Sequence, residues 1–139
     1  MIDRFRGKYF FLSNMFNMNI MMGGKEYTCT EAVFQSIKTK DPDERAKFAG
    51  ISGKEAKRLG RSVRLRPDWD KIKVEVMKWV IHQKFQDPEL RQLLIDTGDE
   101  ELVEGNTWGD TFWGVCNGYG KNMLGKILME ERESIRNGK

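Results

Sequence analysis

The sequence predicts a mainly helical chain with a few short strands, and three local patterns lead to this prediction. Helix-start signals recur: residues 52–55 have the spacing S/T-x-x-E, and Asp-Pro pairs stand at 41–42 and 87–88. Apolar residues repeat every three or four positions through residues 70–86, as in an amphipathic helix. The Gly23-Gly24 pair between two strand-like runs predicts a tight hairpin.

These signals give an order of elements along the chain. Residues 5–16 mix aromatics with a Ser-Asn pair and predict a short strand that leads into a turn. The hairpin follows over 20–27. Helices are predicted over residues 28–40, 43–49, 53–60, 70–86 and 88–98, with a last apolar helix face at Leu124, Ile127 and Leu128.

Some side chains in these helices carry further predictions. Thr28 and Glu31 have capping-box spacing, as do Thr97 and Glu100. Trp79 lies on the apolar stripe of the 70–86 helix and is predicted to be buried.

Length and composition limit the class of protein. A chain of 139 residues is expected to form one domain, 1–139. No run approaches the roughly 18 apolar residues of a membrane span, and the N-terminus lacks the apolar region of a signal peptide. We therefore expect a cytoplasmic protein with no membrane association.

The supply of metal-binding and nucleophilic side chains is small. Cys29 and Cys116 have no CxxC partner, so reduced thiols are expected. His82 is the only histidine, and its place in a predicted helix favours a partly buried structural role. This composition argues against a zinc site or a His-dependent nucleophile, so we predict neither a metal nor a cofactor.

Charge is unevenly distributed along the chain. Residues 38–73 hold twelve Lys and Arg against six Asp and Glu, whereas the whole chain has a net charge of +3. Within this segment Lys54, Lys57, Arg58 and Arg61 surround one predicted helix end. Such an excess suits a phosphate-bearing metabolite or a nucleic acid, although a solvated helix surface explains it equally well.

Residues 104–128, EGNTWGDTFWGVCNGYGKNMLGKIL, contain the densest group of unusual residues. Asp110 stands between Trp108 and Trp113 and is followed by a glycine-dense turn. The tryptophans could be core anchors and Asp110 a turn residue that bonds its own backbone. The combination of a carboxylate with two indole rings nevertheless predicts that this segment lines a site.

Glu31 has two interpretations that the residues alone leave open. As the fourth residue of the box that begins at Thr28, its carboxylate would accept a bond from the Thr28 backbone. Alternatively, a carboxylate held ionised by the N-terminus of its helix would face the site beside Asp110.

Several stretches taken in order resemble the NADAR family, also called YbiA-like. They are FRGKYFFLSNMF, TEAVFQSIK, DWDKIKVEVMKWVIHQKF, LLIDTGDEELVEGN and GDTFWGV, and they extend over nearly the whole chain. The resemblance implies a compact, mainly helical α+β domain with a few short strands. It also implies an N-glycosidase that acts on phosphoribosylamino-pyrimidine intermediates of riboflavin synthesis, while relatives remove ADP-ribose from guanine bases.

Residue roles follow from the same resemblance, position by position. Glu31 and Asp110 match the family's two acidic residues and are predicted to be catalytic, and Met15 departs from the aromatic usual at its position. The matching substrate-contacting positions are Asn14, Trp69 and Lys84. To these we add Trp113 as a ring that stacks on the base and Arg58 and Arg61 as phosphate-binding residues.

Two alternative functions stay open at this point. The chain could remove ADP-ribose from guanine in nucleic acid, with residues 38–73 as the strand-binding surface. It could also be a module that binds ADP-ribose without cleaving it. The leaving base and the oligomeric state have no signal in the sequence.

Overall fold

The computed structural model describes residues 1–138 of the chain. A 3-10 helix at Gly7–Leu12 comes first, and six α-helices and four short strands follow. The strands are β1 (Ile20–Met22), β2 (Lys25–Tyr27), β3 (Gly105–Asn106) and β4 (Val115–Cys116). The helices are α1 (Thr30–Ser36), α2 (Pro42–Ala46), α3 (Gly53–Leu59), α4 (Trp69–Lys84), α5 (Pro88–Ile95) and α6 (Met123–Arg136). The predicted α+β class with a mainly helical content is confirmed.

Internal contacts divide the described residues into two compact units. The central unit is residues 14–80, and the terminal unit is residues 1–13 together with 81–138. The boundary falls inside α4. Each unit has its own buried apolar residues.

In the central unit the hairpin and three helices surround one apolar cluster. β1 and β2 pair antiparallel with Ile20 opposite Tyr27, and the two glycines between them have φ values of 55° and 78°, as a two-residue turn of this kind requires. Helix α1 packs against α3, α2 and β2. The buried cluster consists of Ile20, Tyr27, Cys29, Ala32, Val33, Phe48, Ala56 and Val80.

In the terminal unit α5 packs against α6, and two short parallel pairings hold the loops in place. β3 pairs with β4, and Ile2 forms an isolated parallel bridge with Leu102. The fully buried leucines of this unit are Leu12, Leu94, Leu102 and Leu128. None of the helices within residues 1–138 is both long enough and apolar enough to span a bilayer.

The local helix-start signals at α2, α3 and α5 are confirmed. Asp41 accepts a bond from the Asp43 backbone N–H, and Asp87 accepts from those of Glu89 and Leu90. At α3 the Ser52 hydroxyl accepts from the Glu55 backbone while the Glu55 carboxylate accepts from the Ser52 backbone, which completes a capping box.

Ser52→Ala is expected to destabilise the protein by about 1 kcal/mol, because it removes the acceptor for an otherwise unpaired N–H at the start of α3. Chemical denaturation with urea measures the loss. Ser62→Ala, which removes an exposed hydroxyl bonded to the Leu59 carbonyl, is the matched control and should change stability less. Equal stabilities for the two variants would contradict the prediction.

Other sequence predictions of local structure were wrong, and at Thr28 the reason is a tertiary contact that overrides the local pattern. Helix α1 begins at Thr30 with Cys29 as its N-cap, and the Thr28 hydroxyl donates instead to the Ile51 carbonyl at 2.6 Å. The predicted strand over 5–16 contains the 3-10 helix. No helix follows Thr97 directly, and its hydroxyl donates to the Leu94 carbonyl at 2.6 Å.

Trp79 is 42% exposed, so the prediction of a core position is wrong. The buried positions of α4 are Met77, Val80, Ile81, Lys84 and Phe85, which recur at three- and four-residue spacing on one face. Residue 79 lies two positions after 77, which turns its side chain roughly 200° away from that face.

Candidate active site

Helix α1 carries Glu31 in its first turn, and Asn14 fixes that turn. The Glu31 backbone N–H donates to the Asn14 carbonyl at 3.0 Å, and the Thr30 hydroxyl donates to Asn14 Oδ1 at 2.9 Å. Asn14 is only 8% exposed, and its Nδ2 lies 3.5 Å from Met77 Sδ. These bonds give Asn14 the position of an anchor beneath Glu31.

The Glu31 carboxylate is partly exposed and has a defined partner on the same helix. Gln35 Nε2 donates to Glu31 Oε2 at 3.0 Å across one helical turn. The capping-box alternative for Glu31 is wrong, since the helix begins after Thr28 and its cap is Cys29. The bond from Gln35, rather than a capping box, is therefore one of the interactions that fix this carboxylate.

Lys38, two residues after the end of α1, is a positively charged side chain that interacts with the Glu31 carboxylate. Burial lowers the pKa of Lys38, the attraction of Glu31 opposes that shift, and the repulsion of Arg61 and Lys73 adds to it. Arg61 itself is exposed, as is Arg58 on α3. Sequence reasoning missed Lys38, although its position seven residues after Glu31 on the same predicted helix was a usable signal.

Lys38→Met is expected to raise the free energy of unfolding at pH 7, because a lysine with a lowered folded pKa is less easily charged in the folded state. The unfolded chain binds more protons between the lowered pKa and 10.5, so the wild type gains stability as pH rises through that window. The advantage of the variant should therefore shrink towards pH 10.5.

Urea unfolding at several pH values from 7 to 10.5 measures this difference. The exposed Lys40, changed to Met, is the control, and this replacement should not raise the stability at pH 7. A Lys38→Met variant that is less stable than wild type at pH 7 would contradict the prediction.

Trp69 is buried in the central unit. It is 6% exposed and its ring centroid lies 5.1 Å from that of Phe34 on α1, with the planes tilted by 57°. This aromatic pair fixes the start of α4 against α1. The predicted stacking of Trp69 on a substrate stays a prediction that its burial does not favour.

In the terminal unit Asp110 organises its own loop. Its Oδ1 accepts bonds from the backbone N–H groups of Phe112, at 3.1 Å, and Trp113, at 2.9 Å. The turn role considered for this residue is therefore present. Both bonds use Oδ1, so the residue keeps a second oxygen of its carboxylate.

Asn106, which sequence reasoning missed, holds the backbone of Asp110 on both sides. Its Oδ1 accepts from the Asp110 N–H at 3.0 Å and its Nδ2 donates to the Asp110 carbonyl at 2.9 Å. The same Nδ2 donates to Glu104 Oε2 at 3.1 Å. The Asn-x-x-x-Asp spacing within this loop was the available signal.

Aromatic side chains flank Asp110, and they differ in exposure. Trp113 is partly exposed and meets Phe112 edge-to-face, with centroids 4.8 Å apart and an angle of 85°. Lys121 Nζ lies 5.5 Å from the centre of the Phe112 ring. Trp108 is 54% exposed. The loop thus combines one carboxylate with indole surface that a ligand can reach.

Lys84 is fully buried, unlike a typical phosphate-binding lysine. Its ammonium donates to the Ser13 carbonyl at 2.8 Å and lies 5.6 Å from the centre of the Phe85 ring. Its predicted contact with substrate stays a prediction, and this burial does not favour it.

His82 differs from its prediction as well. Its side chain is 47% exposed, and Nδ1 lies 2.8 Å from the Glu131 carboxylate. Within residues 1–138 no three His, Cys, Asp or Glu side chains gather in a way that could hold a metal ion.

The structure therefore joins the predicted residues in two groups. Glu31 lies on α1 of the central unit, and Asn14 and Trp69 contact this helix at Thr30 and Phe34. Asp110 and Trp113 share one loop in the terminal unit. That the two groups act on one substrate stays a prediction.

Comparison with known proteins identifies relatives over almost the entire chain. The NADAR domain matches residues 4–136. An N-glycosidase YbiA from Shigella boydii is 40% identical over 128 residues, which are 88% of this chain and 79% of that protein. A riboflavin biosynthesis protein of Vibrio vulnificus is 36% identical over 91% of this chain, which spans 35% of that longer protein.

The fold comparison agrees with these relatives. The NMR structure of the Escherichia coli protein YbiA matches 99% of this chain and 88% of its own, with a TM-score of 0.84 and 36% sequence identity. The prediction of an enzyme that hydrolyses N-glycosyl bonds is confirmed by the N-glycosidases among the relatives. By sequence and by fold, this chain belongs to the NADAR family.

Proposed function

We propose that the chain hydrolyses the bond between C1′ of ribose 5-phosphate and the amino nitrogen of an aminopyrimidine, the chemistry of early riboflavin intermediates. The observation that carries the proposal is that the two predicted catalytic acids, Glu31 and Asp110, are each held by an amide side chain, at the carboxylate of Glu31 and at the backbone of Asp110. The similarity to a Vibrio vulnificus riboflavin biosynthesis protein supports this substrate class.

The reaction adds water across the C–N bond. Its hydroxyl goes to C1′ and a proton goes to the departing nitrogen. Positive charge develops on the sugar as the bond breaks, and an ionised carboxylate stabilises that charge. We propose that one of Glu31 and Asp110 activates the water while the other stabilises the cation or holds the ribose hydroxyls.

The remaining residues bind the substrate in this proposal. The partly exposed ring of Trp113 offers a stacking surface for the base, for which about 1–3 kcal/mol per base is typical. Lys38, Arg61 and Arg58 supply positive charge on the central unit for the phosphate. Neither a metal nor a cofactor has a part in this scheme.

The test is to incubate the purified protein with phosphoribosylamino-pyrimidines and to follow the release of ribose 5-phosphate and of the base. The same substrates without the 5′-phosphate are the matched comparison, and they should be cleaved less efficiently if the basic residues bind phosphate. Activity should persist in EDTA. Absence of base release from every phosphoribosylamino-pyrimidine would overturn the proposed substrate.

A second candidate is removal of ADP-ribose from guanine in nucleic acid. The exposed cations Lys54, Arg58 and Arg61 around the end of α3 favour it, because such a surface suits a phosphate backbone. Cleavage of ADP-ribosylated DNA that falls steeply with salt, while cleavage of ADP-ribosylated guanosine does not, would support this candidate. Equal salt dependence would count against it.

A further inference from the structure

Gln35 is a side chain that holds the Glu31 carboxylate by a hydrogen bond. It lies one turn further along α1, is 6% exposed, and donates from Nε2 to Glu31 Oε2 at 3.0 Å. A charge-assisted bond of this kind restricts the rotation of the carboxylate. The Glu31 side chain therefore reaches a ligand in an orientation that Gln35 defines.

The oxygen of the Gln35 amide is energetically unfavourable where it lies. Within residues 1–138, Gln35 Oε1 is buried and has no hydrogen-bond partner. A buried polar group without a partner costs about 1–3 kcal/mol, and an apolar side chain of similar shape would avoid that penalty. The amide is thus a poor choice for packing alone, and its contribution lies in the N–H bond to Glu31.

Gly60 provides the space in which this amide sits. A Cβ atom at Gly60 would lie 2.8 Å from Gln35 Cδ and closer still to Gln35 Oε1. The φ of Gly60 is −60°, an ordinary helical value that any residue adopts. Glycine at position 60 is therefore explained by the close approach of the Gln35 amide and not by the backbone conformation of residue 60.

We propose that Gln35 is a positioning residue for the N-glycosidase reaction, seated against Gly60 and acting through the orientation of Glu31. The inference rests on the proposed catalytic role of Glu31 and adds a residue that acts on it. Effective catalysis requires a carboxylate within a fraction of an ångström of its productive position, and a displacement of about 1 Å lowers a rate on the order of a hundredfold.

The first test is Gln35→Met, which fills similar volume without an amide. We expect kcat to fall about 10- to 100-fold while KM changes little and the melting temperature stays equal or rises. A purely structural side chain would give the reverse pattern, with lower stability and unchanged kcat. Gln92 on α5 makes a comparable exposed bond to Asp96 at 2.8 Å, and Gln92→Met is the matched control.

The second test changes Gln35 indirectly. Gly60→Ala should displace the amide and lower kcat in the same way, and the double variant with Gln35→Met should lose little more than either single variant. In the ¹⁵N-labelled protein, Gly60→Ala and Glu31→Ala should both shift the Gln35 side-chain NH₂ resonances. This NMR measurement does not depend on activity.

The outcomes separate this inference from the proposed function. If the unmodified chain cleaves the substrate and Gln35→Met retains its kcat, the positioning role is wrong while the function stands. The positioning role would also be wrong if the kcat loss of the Gln35→Met, Gly60→Ala double variant equalled the product of the two single losses. If the unmodified chain cleaves no N-riboside, the proposed function fails, and the catalytic meaning of the Gln35–Glu31 bond fails with it.

Discussion

Glu31→Gln is expected to lower kcat on the cleaved phosphoriboside by about a hundredfold or more, because it removes the charge that the reaction uses while keeping the size of the side chain. The new amide can still accept the bond from Gln35 through its oxygen. The first turn of α1 is held mainly by the Glu31 backbone and Thr30, so the fold should persist. Steady-state release of ribose 5-phosphate measures the effect.

Glu26→Gln is the control for that experiment. Glu26 is an exposed carboxylate on β2 of the same unit, and its replacement should leave kcat unchanged. If Glu31→Gln turns over within a fewfold of the wild type, the catalytic assignment of Glu31 is wrong. A similar loss in both variants would point to unfolding, which circular dichroism would reveal.

Asp110→Asn is expected to produce a loss of comparable size, about a hundredfold or more in kcat. Asparagine keeps an oxygen that can accept the N–H bonds from Phe112 and Trp113, so the loop should retain its shape. The negative charge alone is removed. The same assay measures the effect, and Asp96→Asn, at the exposed residue directly after α5, is the control.

Asp110→Ala separates the charge of this residue from its role in the loop. It should lose the same activity and in addition destabilise the protein by about 1 kcal/mol, because the two backbone N–H groups lose their acceptor. An Asp110→Asn variant that is fully active beside an inactive Asp110→Ala would show that the residue shapes the loop only. That result would remove Asp110 from the reaction.

Local signals in this sequence predicted local structure well. The Asp-Pro starts of α2 and α5, the capping box at Ser52 and the Gly23-Gly24 hairpin each involve atoms within a few residues of one another. Their energies therefore do not depend on the rest of the fold. Together these signals predicted the mainly helical content, and the family resemblance added the hydrolase activity, which local signals alone could not.

Patterns that depend on distant partners were predicted poorly. The Thr28 hydroxyl bonds to the Ile51 carbonyl, a partner 23 positions away that the S/T-x-x-E spacing cannot reveal. Trp69 is buried because Phe34 packs on its ring, and Trp79 is exposed because the buried face of α4 passes through Met77 and Val80. For Thr28 and Trp69 the decisive neighbour lies far away in the sequence, whereas for Trp79 the position of the buried face around α4 decides.

The supporting residues of the site were missed for a related reason. A catalytic carboxylate can be proposed from the sequence, but the role of an amide such as Gln35 or Asn106 is recognised only from the atoms that it contacts in the structure. Both lie four positions from the acidic residue that they contact: Gln35 reaches the Glu31 side chain across one helical turn, and Asn106 reaches the Asp110 backbone within one loop. Similar amides near a suspected carboxylate are reasonable candidates in other sequences.

The buried Gln35 amide beside Gly60 has a consequence for protein engineering. An apolar residue in place of a buried glutamine removes the energetic penalty of its unpaired amide oxygen. In a library sorted for expression or heat resistance, apolar changes at position 35 should therefore be enriched. The same library sorted for turnover should be depleted of them, so thermal selection alone would steer this enzyme towards inactivity.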